Sequence, residues 1–145
     1  MFYCFVYAGD RCPDDWIQLN NRCFLTGTEP LTFNDAESAC NNQSGHLASI
    51  QNGAELALVD YISDVQSGSW IGLFLNEVLS LTWTDGSDTE FVGIFTSGSG
   101  CAVTSDTSTD DNPWTFVDCE NEHPYVCTRD VFECALICTL DGDQL

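Results

Sequence analysis

The residues with the most chemistry to offer lie late in the chain. In "DTSTD", Asp106, Ser108 and Asp110 place side-chain oxygens at alternate positions, and Asp111 and Asn112 follow directly. Calcium takes roughly six to eight hard oxygens, and an EF-hand loop supplies its first ligands from alternate positions of this kind. The pattern then fails. The sixth position, where glycine makes the turn, is Asp111, and the twelfth is Val117 in place of a bidentate glutamate. Half a motif reads as a solvated acidic loop, with Asp106, Asp110, Asp111 and Asn112 left as weak cation ligands. "DGSDTE", residues 85–90, likewise reads as a turn.

Catalytic chemistry is harder to assemble. His46 and His123 are the two histidines, and no serine or cysteine nucleophile has a base at a recognisable spacing, so the sequence reads as that of a non-enzyme. The nine cysteines contain no CxxC pair and have no zinc-site spacing, which points to disulfides and an oxidising, extracellular compartment. An odd number leaves at least one thiol free or bonded to another molecule.

Charge narrows the partners further. Twenty-three acidic residues face three arginines and no lysine, for a net charge of −20. Such a surface repels phosphate backbones, sulfated glycans and anionic membranes, whereas cations, basic proteins and neutral sugars remain as partners. No stretch reaches transmembrane length, so membrane insertion is not expected. The opening "MFYCFVYAGD" lacks the basic start and the length of a signal peptide. Met1 is read either as an added start or as part of a longer precursor.

The elements that must carry these residues are of mixed type. "RCFLTGTEP" reads as a strand entering a turn. Thr32 caps a helix over "FNDAESACNNQ", with Asp35 in a capping-box-like position and Phe33, Ala36, Ala39, Cys40 and Gln43 at helical spacing. A second helix starts near Asn52, has Glu55 at its third position, and is expected to turn Leu56, Val59, Tyr61 and Ile62 to the core. "WIGLFL" reads as a buried strand and "SLTWTDGS" as a strand leading into a turn. A long loop follows from Asp85 to Gly100, then short strands at "CAVTS", "WTFVDC" and "HPYVCT". The result is one α+β domain, two helices early and small antiparallel sheets late, with a long loop near its middle. Asn42-Gln43-Ser44 is a glycosylation sequon at the end of the first helix.

In this order, "CPDDWIQLNNRCF", "LTFNDAESAC", "GHLASI", "WIGL", "LTWTDGS", "CAV" and the closing "YVC" resemble the long form of the C-type lectin-like domain. The resemblance runs from about Cys12 to Cys127. It places the domain at residues 12–129, with extensions at 1–11 and 130–145. By position it implies the disulfides Cys12–Cys23, Cys40–Cys127 and Cys101–Cys119, with Trp70, Trp83 and Trp114 as packing residues and Trp16 in the core or at its rim. Cys4, Cys134 and Cys138 fall outside that pattern. Cys4 is within reach of either Cys134 or Cys138, and the leftover is a free thiol, a link to a second chain, or a residue whose partner lies outside this stretch.

Sugar-binding members of the family hold calcium with an acid-Pro-amide triplet in the long loop and an Asn-Asp pair after the late tryptophan. Here no proline occurs between Pro30 and Pro113, and Thr115 and Phe116 follow Trp114. The resemblance therefore implies no cofactor, and calcium is not expected at the main site. The apolar residues Phe91, Val92, Ile94 and Phe95 occupy the loop, either folded inward as anchors or exposed to a partner. Two functions remain open. One is a secreted recognition module for a protein or glycan, using Phe91, Ile94, Phe95, Asp106, Asp110 and Asp111. The other is a structural subunit of an extracellular matrix, fibre or mineral-associated assembly, disulfide-linked or self-assembled.

Overall fold

The computed structural model describes residues 2–7, 11–78, 80–92, 100–109, 112–131 and 135–140, and of 2–7, 107–109, 112 and 135–140 the backbone alone. In chain order the elements are β1 (Phe2–Tyr7), β2 (Ile17–Leu19), β3 (Arg22–Leu31), α1 (Phe33–Asn41), β4 (His46–Leu47), α2 (Gly53–Ile62), β5 (Trp70–Leu75), β6 (Leu81–Trp83), β7 (Cys101–Thr109), β8 (Asn112–Val117), β9 (His123–Asp130) and β10 (Ala135–Leu140). β1 and β10 pair with each other alone. The remaining strands form one sheet in the order β2-β3-β9-β5-β7-β8, with β4 added beside β9 and β6 beside β5. The pairings are antiparallel except where β5 meets β9, parallel at Trp70↔Tyr125. Two helices beside a mostly antiparallel sheet, whose strands come before, between and after them in the chain, make this an α+β fold.

Local chemistry sets both helix starts. The Thr32 hydroxyl accepts from Asp35 N at 3.3 Å, and the Asn52 amide oxygen accepts from Glu55 N at 2.9 Å. Glu55 completes a reciprocal cap by accepting from Gln51 N at 3.0 Å through Oε1. α1 buries Phe33, Ala36 and Cys40, as its spacing requires. In α2 the expectation for Tyr61 fails, since its side chain is 88% exposed. Val59 and Tyr61 are two residues apart, about 200° around a helix, so both cannot face one core. Val59 is buried.

A second correction concerns "DTSTD". β7 runs on to Thr109 and meets β8 again at Thr109↔Asn112, but the register shifts between Thr104 and Thr109, so Asp106 to Ser108 belong to an irregular, bulged part of the strand and not to a free loop. Within the expected loop at 85–100, Glu90–Val92 forms a short 3-10 turn.

The three disulfides implied by the resemblance are present: Cys12–Cys23, Cys40–Cys127 and Cys101–Cys119. Two clusters form the core. Trp83 and Trp114 meet edge to face at 5.7 Å in the first, with Phe24, Ile50, Val59, Ile71 and Leu73. Trp70 centres the second with Phe33, Leu47 and the Cys40–Cys127 bridge, and its indole donates to Leu31 O at 2.7 Å. Trp16 is half-buried at the rim, where the Arg129 guanidinium lies 5.9 Å from its ring centre.

The start of β7 depends on a glycine. Gly100 has φ +98°, and a Cβ there would press into the Val117 carbonyl oxygen of the paired strand. Backbone atoms cannot step aside as a side chain can. Gly100→Ala is expected to cost about 2 kcal/mol or more in a urea titration; a loss under about 0.5 kcal/mol would show that the turn relaxes freely.

Candidate functional site

β8 alternates across the sheet, and this alternation sets where the side chains after the late tryptophan point. It pairs with β7 through Thr104↔Trp114, Val103↔Thr115 and Ala102↔Phe116. Trp114 is buried, Thr115 is exposed, and Phe116 packs against the Trp83–Trp114 cluster. Of the two residues standing where the resemblance puts Asn-Asp, one therefore faces outward with a single hydroxyl, and the other is a ring turned to the core. Among the described residues no three of His, Cys, Asp and Glu gather as a metal site requires.

The other candidates separate. Phe91 is 39% exposed, whereas its neighbour Val92 is buried in the core and anchors this end of the loop. Asp106 is exposed at the far part of β7. Ile94, Phe95, Asp110 and Asp111 lie outside the described residues, as does Cys134, and of Asn112, Cys4 and Cys138 the backbone alone is described. Asn42, the sequon residue, is exposed at the C-terminal cap of α1. His46 Nδ1 is 2.9 Å from Glu37 Oε2, and His123 Nδ1 is 3.0 Å from Gly68 O with its ring edge-on to Trp70.

The structure adds a polar centre that sequence reasoning missed. Arg22, at the start of β3, sends its guanidinium into a cage of oxygens. Nη1 donates to Ser49 O at 3.0 Å and to Glu55 Oε2, and Nη2 donates to Ser49 Oγ at 2.6 Å. Asp85 Oδ2 lies 3.8 Å from Nη2 and accepts from the Ser49 hydroxyl. Glu55 is 3% exposed, and the Arg22 guanidinium is its ion-pair partner. The available signal was an isolated arginine in an acid-rich chain, but its partners are remote in sequence.

At Asp85, burial pulls the pKa up. Hydrogen bonds from Ser49 and Ser87 and the charge of Arg22 outweigh that pull and hold the carboxyl below its usual value of 3.8. A depressed carboxylate contributes stability that is complete above the unfolded pKa and is lost as pH falls through the folded one. Asp85→Asn is therefore expected to flatten the acid limb of the stability curve below about pH 4, read from urea midpoints at stepped pH. An unchanged limb would assign the acid sensitivity elsewhere. Asp60, on α2, is pushed the other way by burial.

The cage opens into a cleft of about 330 Å³ lined by Arg22, His46, Asp85, Ser87, Arg129 and Asp130, among others. Two of the three arginines in the chain and one of its two histidines thus meet at one place on a strongly acidic protein. Its lining combines hydrogen-bond donors and acceptors.

Residues 29–129 match the lectin C-type domain family. The chain is 33% identical over 129 residues to snaclec echicetin subunit alpha of Echis carinatus, an alignment covering 83% of this chain and 95% of that one. Among solved structures, a calcium-independent type II antifreeze protein superposes with TM-score 0.72 and 26% identity, covering 84% of this chain and 96% of the other. The cow C-type carbohydrate-recognition domain of CD23, solved in the presence of a GlcNAc2Man3 oligosaccharide, gives TM-score 0.73 and 25% identity over 86% and 99% of the two chains. These relationships are those of a non-enzymatic recognition module. With its two capped helices, its sheet and its three bridges matching as well, the chain belongs to the C-type lectin domain family.

Proposed function

We propose that the chain is a secreted recognition module that binds a protein or a glycan without calcium at the family's usual site. The observation that carries this reading is Phe116: a ring packed against the core stands where one of a pair of hard oxygen ligands would be needed. The loop that would supply the other ligands has no proline. A solved relative is itself described as calcium-independent. The three disulfides support an oxidising, extracellular setting, and the net charge of −20 favours a neutral or basic ligand.

The test is saturable binding on glycan and protein panels, run in calcium and in EDTA. Equal binding in both is expected. Phe91→Asp is expected to weaken it about tenfold without moving the melting temperature, the cost of losing one exposed apolar contact. Binding that disappears in EDTA and returns with calcium would overturn the reading, as would a rise of several degrees in melting temperature at sub-millimolar calcium.

The surplus cysteines and the extreme acidity favour a second reading, a structural subunit of an extracellular assembly. It predicts disulfide-linked oligomers on a non-reducing gel, and a clean monomer with a free thiol would count heavily against it.

A further inference from the structure

Six of the nine cysteines are committed to three bridges, and Cys4, Cys134 and Cys138 are not among them. β1 and β10 form a ribbon of their own, apart from the large sheet, in an unbroken antiparallel register from Phe2↔Leu140 to Tyr7↔Ala135. That register sets Cys4 directly opposite Cys138. Opposed residues of an antiparallel pair hold their Cα atoms about 4.5–5.5 Å apart, with both Cβ atoms on one face. A disulfide spans Cα separations of about 4.4–6.8 Å. We propose that Cys4 and Cys138 are joined in a fourth disulfide, a clasp that ties the two ends of the chain together.

The register offers Cys4 no other cysteine on β10. Ala135, where the strand begins, pairs with Tyr7, three residues along from Cys4. That offset, with the spacing between strands, puts the Ala135 Cα about 11 Å from the Cys4 Cα, well beyond the roughly 7 Å at which bridging needs backbone movement. Cys134 lies outside the described residues.

A reason for the clasp is that an isolated two-stranded ribbon is only marginally stable in water. The bond forms by thiol–disulfide exchange with a low-molecular-weight disulfide of the oxidising compartment. One cysteine thiolate attacks that disulfide and expels a small thiolate. The second cysteine thiolate then attacks the mixed disulfide and expels the other. Two protein thiols become one S–S bond, and the reagent is reduced to two thiols.

The test is a disulfide map of the full chain, alkylated before digestion under non-reducing conditions and read by tandem mass spectrometry. A peptide linking Cys4 to Cys138 is expected, leaving Cys134 the sole cysteine outside the four intrachain bridges. A Cys4–Cys134 or Cys134–Cys138 link, or alkylated Cys4 and Cys138, would overturn the proposal. Two variants resolve Cys134 from Cys138. Cys134→Ser is expected to keep the Cys4-linked peptide and Cys138→Ser to lose it; the opposite result would refute the assignment.

Discussion

Arg22→Ala is expected to destabilise the domain by about 3 kcal/mol, measured as the unfolding free energy from urea titration at neutral pH. Truncating one member of a buried ion pair costs about 3–5 kcal/mol because the other charge is left without compensation. Here the abandoned charge is Glu55, 3% exposed, and the hydrogen bonds lost also include those to Ser49 O and Ser49 Oγ. The arginine side chain retains 19% exposure, which places the effect near the lower end of that range. Arg22→Lys is expected to recover only part of it. An ammonium is a point donor and cannot reach Ser49 O, Ser49 Oγ and Glu55 in the planar arrangement a guanidinium offers. Removing both charges in Arg22→Met with Glu55→Met is expected to cost less than Arg22→Ala alone. A loss below about 1 kcal/mol for Arg22→Ala would class the pair with solvent-screened surface bridges.

Removing the Cys40–Cys127 bridge as Cys40→Ala with Cys127→Ala is expected to have the larger effect, about 4–5 kcal/mol. The two residues are 87 apart in sequence, and chain-entropy estimates rise with the length of the loop closed. Both cysteines are fully buried in the cluster around Trp70, so their truncation also loosens the packing between α1 and β9. The Cys101–Cys119 bridge closes a separation of only 18, and its removal is expected to cost about 3 kcal/mol. Differential scanning of the two variants side by side tests the ordering. If the shorter bridge proved the more costly, loop entropy would not be the controlling term.

Much of the fold was legible because its signals are short in range. The caps at Thr32 and Asn52 act over three residues, and the helix starts follow them. "WIGLFL" is an apolar run of strand length, and β5 occupies those same six residues. Where two local rules competed, reading was less secure. Tyr61 has the apolar body of a core residue, but the helical period carries it away from the face that buries Val59. Asp106 to Thr109 have the composition of a loop, yet they extend β7, which meets β8 again at Thr109↔Asn112 beyond an irregularity in the register. Threonine, with its branched Cβ, suits such a strand once the ladder is present.

By itself, the sequence determined the two helices, the main strands, the three tryptophans of the core and, through the resemblance, the bridges Cys12–Cys23, Cys40–Cys127 and Cys101–Cys119. It also places Thr115 and Phe116 directly after Trp114. Only the tertiary structure decided that Phe116 turns to the core, that Cys4 faces Cys138 across a ribbon, and that Arg22 is enclosed by Ser49, Glu55 and Asp85. The reason is range. A cap or a period is written within a few neighbouring residues, whereas Arg22 meets Ser49 and Glu55 across 27 and 33 positions. Nothing near Arg22 in the chain specifies those partners until the sheet and α2 bring them together.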